Sequence, residues 1–256
     1  MMEAIAAIWE TKGAPAFCLE TIVPKGTLEI IFNLETRFYL HADINGQRQL
    51  LPRYFINGYN SIPVRMSLPQ QQHFFGVTVH PVAALSLLGA PAREFTDHVL
   101  DASLVAPEVE CLWERLAECT DFSARVSVVR NWAVSKKFKI TPRDRMMHGL
   151  LESNHVHESN IASLAAMMNY STRHLARKIH DLTAWNTEEL LHYKKFYRAL
   201  HLIHTTDHSL TEIAYQSHFS DQSHFIKSFR KFAEMTPGEY RNAKSHLEGH
   251  LFSGVR

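Results

Sequence analysis

Cysteine is scarce in this chain. Cys18, Cys111 and Cys119 are odd in number and include no CxxC pair among 256 residues. That excludes a disulfide framework and a thiolate zinc cluster, and it fits a reducing cytoplasm. Long apolar runs are missing too: none approaches the roughly 18 residues of a membrane span, so no membrane partner is expected. The N-terminal MMEAIAAIWE carries Glu3 and Glu10 and no basic stretch, unlike a secretory signal. An excess of either charge is also lacking, since 27 Lys+Arg face 26 Asp+Glu. There is no GxSxG, no HExxH and no phosphate-binding glycine loop.

The even charge balance hides a split. Residues 1–138 carry 12 Lys+Arg against 14 Asp+Glu, whereas residues 139–246 carry 14 against 11 and 12 of the 17 histidines. The second stretch is mildly basic, well short of a polybasic tail.

Residues 29–34 (EIIFNL), 37–44 (RFYLHADI) and 73–80 (HFFGVTVH) are β-branched and aromatic, and turn residues such as Asn57-Gly58 and Pro69 separate them. Asn45-Gly46 is a hairpin turn, because both residues tolerate positive φ. Short strands at this spacing point to a barrel or sandwich. After His80 the period becomes helical: PVAALSLLG stops at Gly89, a residue suited to a C-cap. Residues 107–121 and 123–138 follow as amphipathic helices, with Val109, Leu112, Trp113 and Leu116 on one face of the first. Their tryptophans, Trp113 and Trp132, could pack across a dimer or against the strands. Residues 136–144 (KKFKITPRD) read as a linker.

The segment from Leu210 to Arg241 organises the remainder. Leu210, Ile213 and Ala214 recur at helical spacing, Phe219-Ser220-Asp221 breaks the pattern, and Ser220 or Asp221 can cap a second helix. In that helix Phe225, Phe229 and Phe232 form one apolar stripe. Ser223, Lys227 and Arg230 fall on the opposite face, with Gln222 and Ile226 at its margins. Thr236-Pro237 ends it. A short helix, a tight turn and a helix with one apolar and one basic face describe a helix-turn-helix.

The same text occurs earlier. Leu164-Ala165 corresponds to Ile213-Ala214 and Asn169-Tyr170-Ser171 to His218-Phe219-Ser220, both at an offset of 49; Leu175, Ile179 and Leu182 correspond to Phe225, Phe229 and Phe232 at an offset of 50. The second copy therefore has one extra residue at its turn. In the first copy Arg173, Arg177 and His180 oppose the stripe, with Ala176 beside them, and Ser159 or Asn160 is the expected cap of its leading helix. Between the copies, residues 188–204 read as one helix about 25 Å long. That length is of the order of the ≈34 Å between successive major-groove faces once the motifs' own widths are added.

These residues resemble the AraC-type family of transcriptional regulators. The likeness covers about residues 145–244. It rests on the double motif and on Ile213-Ala214, Phe219, Ser223, Phe225, Phe229-Arg230-Lys231, Thr236-Pro237 and Tyr240-Arg241. It implies two helix-turn-helix subdomains on a long helix, bound to double-stranded DNA through two adjacent major grooves and coupled to a sensing or dimerising domain. A small-molecule effector, a homodimer and, for an activator, RNA polymerase are the partners that follow. VPKGTLEIIFNL (23–34) and FFGVTVHPVAALSLLG (74–89) resemble an N-terminal module found with such halves, which brings no ligand with it. The family usually has glycine where His218 and Asn169 stand, and both of these reach positive φ at modest cost. Glu234 and Ala184 replace C-capping glycines, so those helix ends are expected to close differently. Lys195 replaces a usual arginine.

The expected fold class is α+β: a β-rich, barrel-like N-terminal domain with a helical connector (1–138), then an all-α domain of two helix-turn-helix subdomains (139–246). The first motif spans about 160–182, the linker helix about 188–204 and the second motif about 209–232. Arg173, Arg177, Gln222, Ser223 and Lys227 are candidates for base edges, since arginine grips guanine and glutamine grips adenine with two hydrogen bonds. Thr172, His174, Lys178 and Arg230 suit phosphates, and Ala176, Asp221 and Ile226 complete the faces.

The histidines and cysteines raise two other chemistries. His201, His204 and His208 lack a further zinc ligand, and His155/His157 sit in a turn. Glu29, His41, His73 and His80 could line a pocket or hold a metal as in a cupin, but scattered strand histidines are more often structural. An alkyl-accepting enzyme would need a reactive cysteine that none of the three resembles. The expectation is therefore no metal, no cofactor and no catalysis, with a ligand-free dimeric DNA binder as the alternative regulator. If the aromatic stripe is core, Phe225→Ala or Phe229→Ala should destabilise the chain by about 3–5 kcal/mol. Thermal melts within a degree of wild type would show that it is not.

Overall fold

The computed structural model describes residues 4–35, 40–136, 140–152 and 161–255. The start of the RFYLHADI strand, the centre of the linker, and the HVHESN turn with its Ser159 or Asn160 cap lie outside the described residues.

Nine strands come from the first part of the chain: β1 (Ile5–Gly13), β2 (Phe17–Ile22), β3 (Leu28–Asn33), β4 (His41–Ile44), β5 (Gln47–Leu50), β6 (Tyr54–Asn57), β7 (Val64–Ser67), β8 (Gln72–Val79) and β9 (Val99–Asp101). A tenth, β10 (His250–Val255), ends the chain. They make two antiparallel five-stranded sheets, in the orders β1-β8-β3-β6-β9 and β10-β2-β7-β4-β5. The hairpin between β4 and β5 turns at Asn45 and Gly46, with φ of 54° and 72°, as its residue types require.

All six residues of β3 are buried because both faces of its sheet are covered. Side chains alternate across a strand, so Ile31 faces the second sheet, in one core with Ala42, Ile44, Val64 and Met66. Leu28, Ile30 and Phe32 point the other way, into a core with Leu87, Leu112, Leu116 and Trp132. Those belong to α1 (Ala84–Leu88), α2 (Val109–Glu118) and α3 (Phe122–Ser135), of which α1 ends at Gly89 with φ 75°. The expected barrel is thus a three-layer stack with two open sheets. Helices cover the outer face of the first sheet, so it has no need to curl and close on itself. Both tryptophans pack on this sheet. Trp132 is buried, and Trp113 Nε1 donates to the Asn33 carbonyl at 2.8 Å, under the Arg53 guanidinium.

The helical half comprises α4 (Pro142–Glu152), α5 (Ile161–Met167), α6 (Thr172–Thr183), α7 (Thr187–Thr205), α8 (Leu210–Gln216), α9 (Gln222–Ala233) and α10 (Pro237–Ala243). Thr236-Pro237 both follows α9 and opens α10. The Thr236 hydroxyl accepts from the Glu239 N–H at 3.1 Å, and the Glu239 carboxylate accepts from the Thr236 N–H at 2.6 Å. Burial surrounds α7. Leu190, Phe196, Leu200 and Ile203 join Phe225, Phe229 and Phe232 in one core, which also takes in Val23 and Tyr59 from the β-rich part and Leu251 from β10. Tyr59 meets Trp185 and Trp185 meets Tyr193, with ring centroids 4.8 and 4.9 Å apart. The last strand, β10, pairs antiparallel with β2 from His250↔Ile22 to Val255↔Phe17.

Helix closure also departs from expectation. Ala184 and Glu234 do not close their helices differently from glycine; each adopts the left-handed conformation itself, at φ 60° and 57°. Their N–H groups bond to the carbonyls of His180 and Arg230 at 2.8 and 2.9 Å, so the closing hydrogen bond offsets the steric cost of a Cβ in that region. Ala184→Gly should accordingly stabilise the chain by about 0.5–1 kcal/mol, read as a higher urea midpoint at unchanged slope.

Candidate nucleic-acid interface

Two helices share one construction. Behind α6, the Ser171 hydroxyl accepts from the His174 N–H at 3.2 Å; behind α9, an Asp221 carboxylate oxygen accepts from the His224 N–H at 2.8 Å. Each cap satisfies an N–H that the helix leaves free. Hydrogen bonds from the His224 backbone and then from the Ser220 hydroxyl hold the Asp221 carboxyl below its usual range. The leading helices α5 and α8 reach these caps through matching turns. Asn169 and His218 take φ 52° and 59°, as their residue types allow. Tyr170 N–H bonds to Ala165 and Phe219 N–H to Ala214, at 2.8 and 3.1 Å. The offset is 49 up to these bonds and 50 from the caps onward, which makes Ser220 the inserted residue.

Leu175 and Ile179 bury one side of α6, as Phe225, Phe229 and Phe232 bury one side of α9. Thr172, Arg173 and Arg177 are exposed on α6; His174, Ala176 and Lys178 are half-buried, and the His174 ring stacks on Tyr170 at 4.4 Å. On α9, Gln222, Ser223, Lys227 and Arg230 are exposed beside exposed Asp221, and Ile226 is half-buried. The exposed members of each set line one open helix face, where guanidinium, ammonium, amide and hydroxyl donors suit phosphates and base edges.

The faces are held from behind. Arg198 Nε donates to the Gln216 carbonyl at 2.7 Å and Lys195 Nζ to the His218 carbonyl at 2.8 Å, so α7 satisfies carbonyls left free at the end of α8. The sequence reading did not single out Arg198. Its signal was two cations three residues apart, on the side of the linker helix that faces a motif turn. The far end of α6 is tied to the β-rich part: Arg93 pairs with Asp181 at 2.6 Å, and the Thr96 hydroxyl donates to the Thr183 carbonyl at 3.0 Å. Arg65 likewise pairs with Glu234 just beyond α9. These ties leave the N-terminal halves of both helices open.

A cavity of about 1120 Å³ lies between the sheets and is closed on one side by the chain after α10. Ile31, Val64, Met66 and Phe74 supply apolar wall, while Lys25 and Lys244 bring ammonium groups from opposite halves. Glu29 lines it too, buried, with Trp9 Nε1 donating to it at 3.1 Å and Lys25 paired at 3.2 Å. The other candidates of the pocket-mouth expectation do not line it. His73 turns to Glu10 at 2.8 Å, and His80 packs against His148. Among the linker-helix candidates, His201 pairs with Glu248 at 2.9 Å and His204 with the Tyr240 hydroxyl at 2.8 Å, so the fold does not bring these together as ligands.

Residues 164–243 match a helix-turn-helix domain family, and residues 2–101 match a domain family of unknown function. The HTH-type transcriptional activator RhaS of Salmonella arizonae is 31% identical over 97 residues, which cover 38% of this chain and 35% of that protein. RhaS of Salmonella paratyphi B aligns to the same extent. The match thus spans about a third of the length of these curated relatives. Among solved structures, Vibrio cholerae ToxT with an unsaturated fatty acid bound is similar at a TM-score of 0.51 and 14% identity, covering 96% of this chain and 99% of that one. ToxT bound to (E)-4-(8-methylnaphthalen-1-yl)but-3-enoic acid gives 0.51 and 14%, over 93% and 98%. At that identity the likeness is one of fold.

Proposed function

We propose, on the premise that residues 164–243 form an AraC-type helix-turn-helix domain, that this chain is a sequence-specific DNA-binding transcriptional regulator responsive to a small-molecule effector. The observation that carries the reading is the pair of matched helix faces on one rigid support. The 19 residues of α7 correspond to about 28 Å of helix, which suits contact with two successive major-groove faces. In this reading Arg173 and Arg177 read one groove and Gln222, Ser223 and Lys227 the next. Thr172, His174, Lys178 and Arg230 hold phosphates, while Ala176 and Ile226 offer apolar contact at base edges. Asp221 fixes the start of α9.

The cavity supports the effector limb. Its apolar walls suit the body of a small ligand, and the charged groups at its margins, Lys25, Lys244 and His246 among them, suit a polar end. ToxT has been solved with ligands of that character, and a ligand in this cavity would touch both sheets and the segment after α10. Occupancy would then bias how the β-rich part sits on the DNA-binding half. Two copies on a repeated operator, with RNA polymerase as the protein partner of an activator, complete the proposal.

Arg177 and Lys227 lie across their helices from the apolar stripes, so alanine at either should leave the thermal melt nearly unchanged. Each variant should cost about 1–3 kcal/mol on a cognate operator and relax preference at one of two positions about 10 base pairs apart. Selection from a randomised operator library checks this. Overlapping or unaltered preferences in the two variants would sink the two-groove reading, and an equal loss on all sequences with a smaller salt slope would mean phosphate contact alone. Mass spectrometry of an organic extract of the purified protein, with DNA affinity measured before and after extraction and after adding the extract back, tests the effector. An extract without a ligand and an affinity indifferent to it would leave only the ligand-free regulator.

A further inference from the structure

His80 directly follows β8, and its own N–H is bonded to the Ala4 carbonyl at 2.9 Å. His148 and Glu152 stand four residues apart on α4 and so project side by side from that helix. The fold brings these three together: one ligand atom from each lies within 4.8 Å of the other two. The two imidazole rings are in contact, with centroids 3.7 Å apart. Nδ1 of His148 is buried and has no hydrogen-bond partner among the described residues. Two imidazole rings in contact beside a carboxylate, one of them with a buried ring nitrogen that no protein group meets, make a set of donor atoms that lacks a common partner. A cation supplies it.

We propose that His80, His148 and Glu152 form a site for a divalent transition ion of the zinc type, clamping α4 onto the end of β8. Two imidazole nitrogens and one carboxylate are the donor set that suits zinc, whereas calcium or magnesium would need mostly oxygen ligands. Three protein ligands leave a fourth position for water. Tetrahedral binding at about 2.0–2.1 Å places ligand atoms about 3.3 Å apart, so modest side-chain rotations convert the present spread into a closed site. A competing cation near Glu152, Lys194, is engaged with the Leu151 carbonyl. The site joins the β-rich part to the helix that leads into the first helix-turn-helix unit. A bound ion would therefore couple metal supply to the placement of α5 and α6. Glu152 also lines the large cavity, whereas none of the three ligands belongs to α6 or α9.

The test uses the full chain, stripped with a chelator and then titrated with Zn²⁺ against a chromogenic competitor, and separately with Co²⁺. We expect one equivalent bound in the micromolar range or tighter, a rise in melting temperature on binding, and the visible absorption of tetrahedral Co²⁺. Glu152 is exposed and His148 only half-buried, so Glu152→Gln and His148→Gln should keep the wild-type circular dichroism. Each should weaken binding at least about tenfold, the lower end of what even outer-shell changes cost, and lose the Co²⁺ bands. Zn²⁺ uptake that persists undiminished in both variants would assign it to the other histidines and overturn the proposal. Absence of a one-equivalent micromolar event in the wild-type chain would do the same.

Discussion

The packing around α7 is the interaction on which the molecule depends. Leu190, Phe196, Leu200 and Ile203 of that helix are at most 1% exposed, and the aromatic stripe of α9 closes against them. Phe196 lies 5.0 Å from both Phe229 and Phe232, centroid to centroid, within the range of favourable aromatic pairs. The same helix turns Tyr193 toward Trp185 and Tyr59, so the β-rich part is fastened to the axis that carries the motifs. A buried helix of this kind has little freedom to tilt, because close-packed interiors respond to displacement as a unit.

Rigidity behind the exposed faces follows from local chemistry. Each motif turns through a left-handed residue, starts its second helix on a side-chain cap, and closes that helix through another left-handed residue. Four non-glycine residues, Asn169, Ala184, His218 and Glu234, occupy those positions. The backbone hydrogen bonds of the two turns repeat at a constant offset. The inserted Ser220 changes the cap from serine to aspartate without changing the bonds around it. The first motif starts from a neutral cap and the second from a charged one, so an approaching phosphate meets different fields at the two helix starts.

The seam between the halves gathers the remaining chemistry. The large cavity opens on it, β10 crosses it to pair with β2, and His80 meets α4 along it. Arg93–Asp181 and Arg65–Glu234 also span it, attached at the far ends of the exposed helices. These are partly exposed pairs and contribute little stability.

The sequence by itself determined what depends on neighbours a few residues away. Helical stripes, caps, the Asn45-Gly46 hairpin, the left-handed turns at Asn169 and His218, and the repeated motif with its single insertion are all of this kind. Each follows from i,i+3 and i,i+4 spacing or from the φ preference of a residue type. Tertiary structure alone decided the rest. Two open sheets replaced a barrel because helices distant in sequence covered one face. Ala184 and Glu234 took a conformation against their preference because a carbonyl four residues back was waiting. Glu29 stayed on a cavity wall while His73 and His80, read with it as one set, turned to Glu10 and His148. His80 and His148 are 68 residues apart, and no periodicity links a strand end to a helix face. Only the folded chain fixes which side chains share a space, since packing selects among arrangements that local rules leave equal.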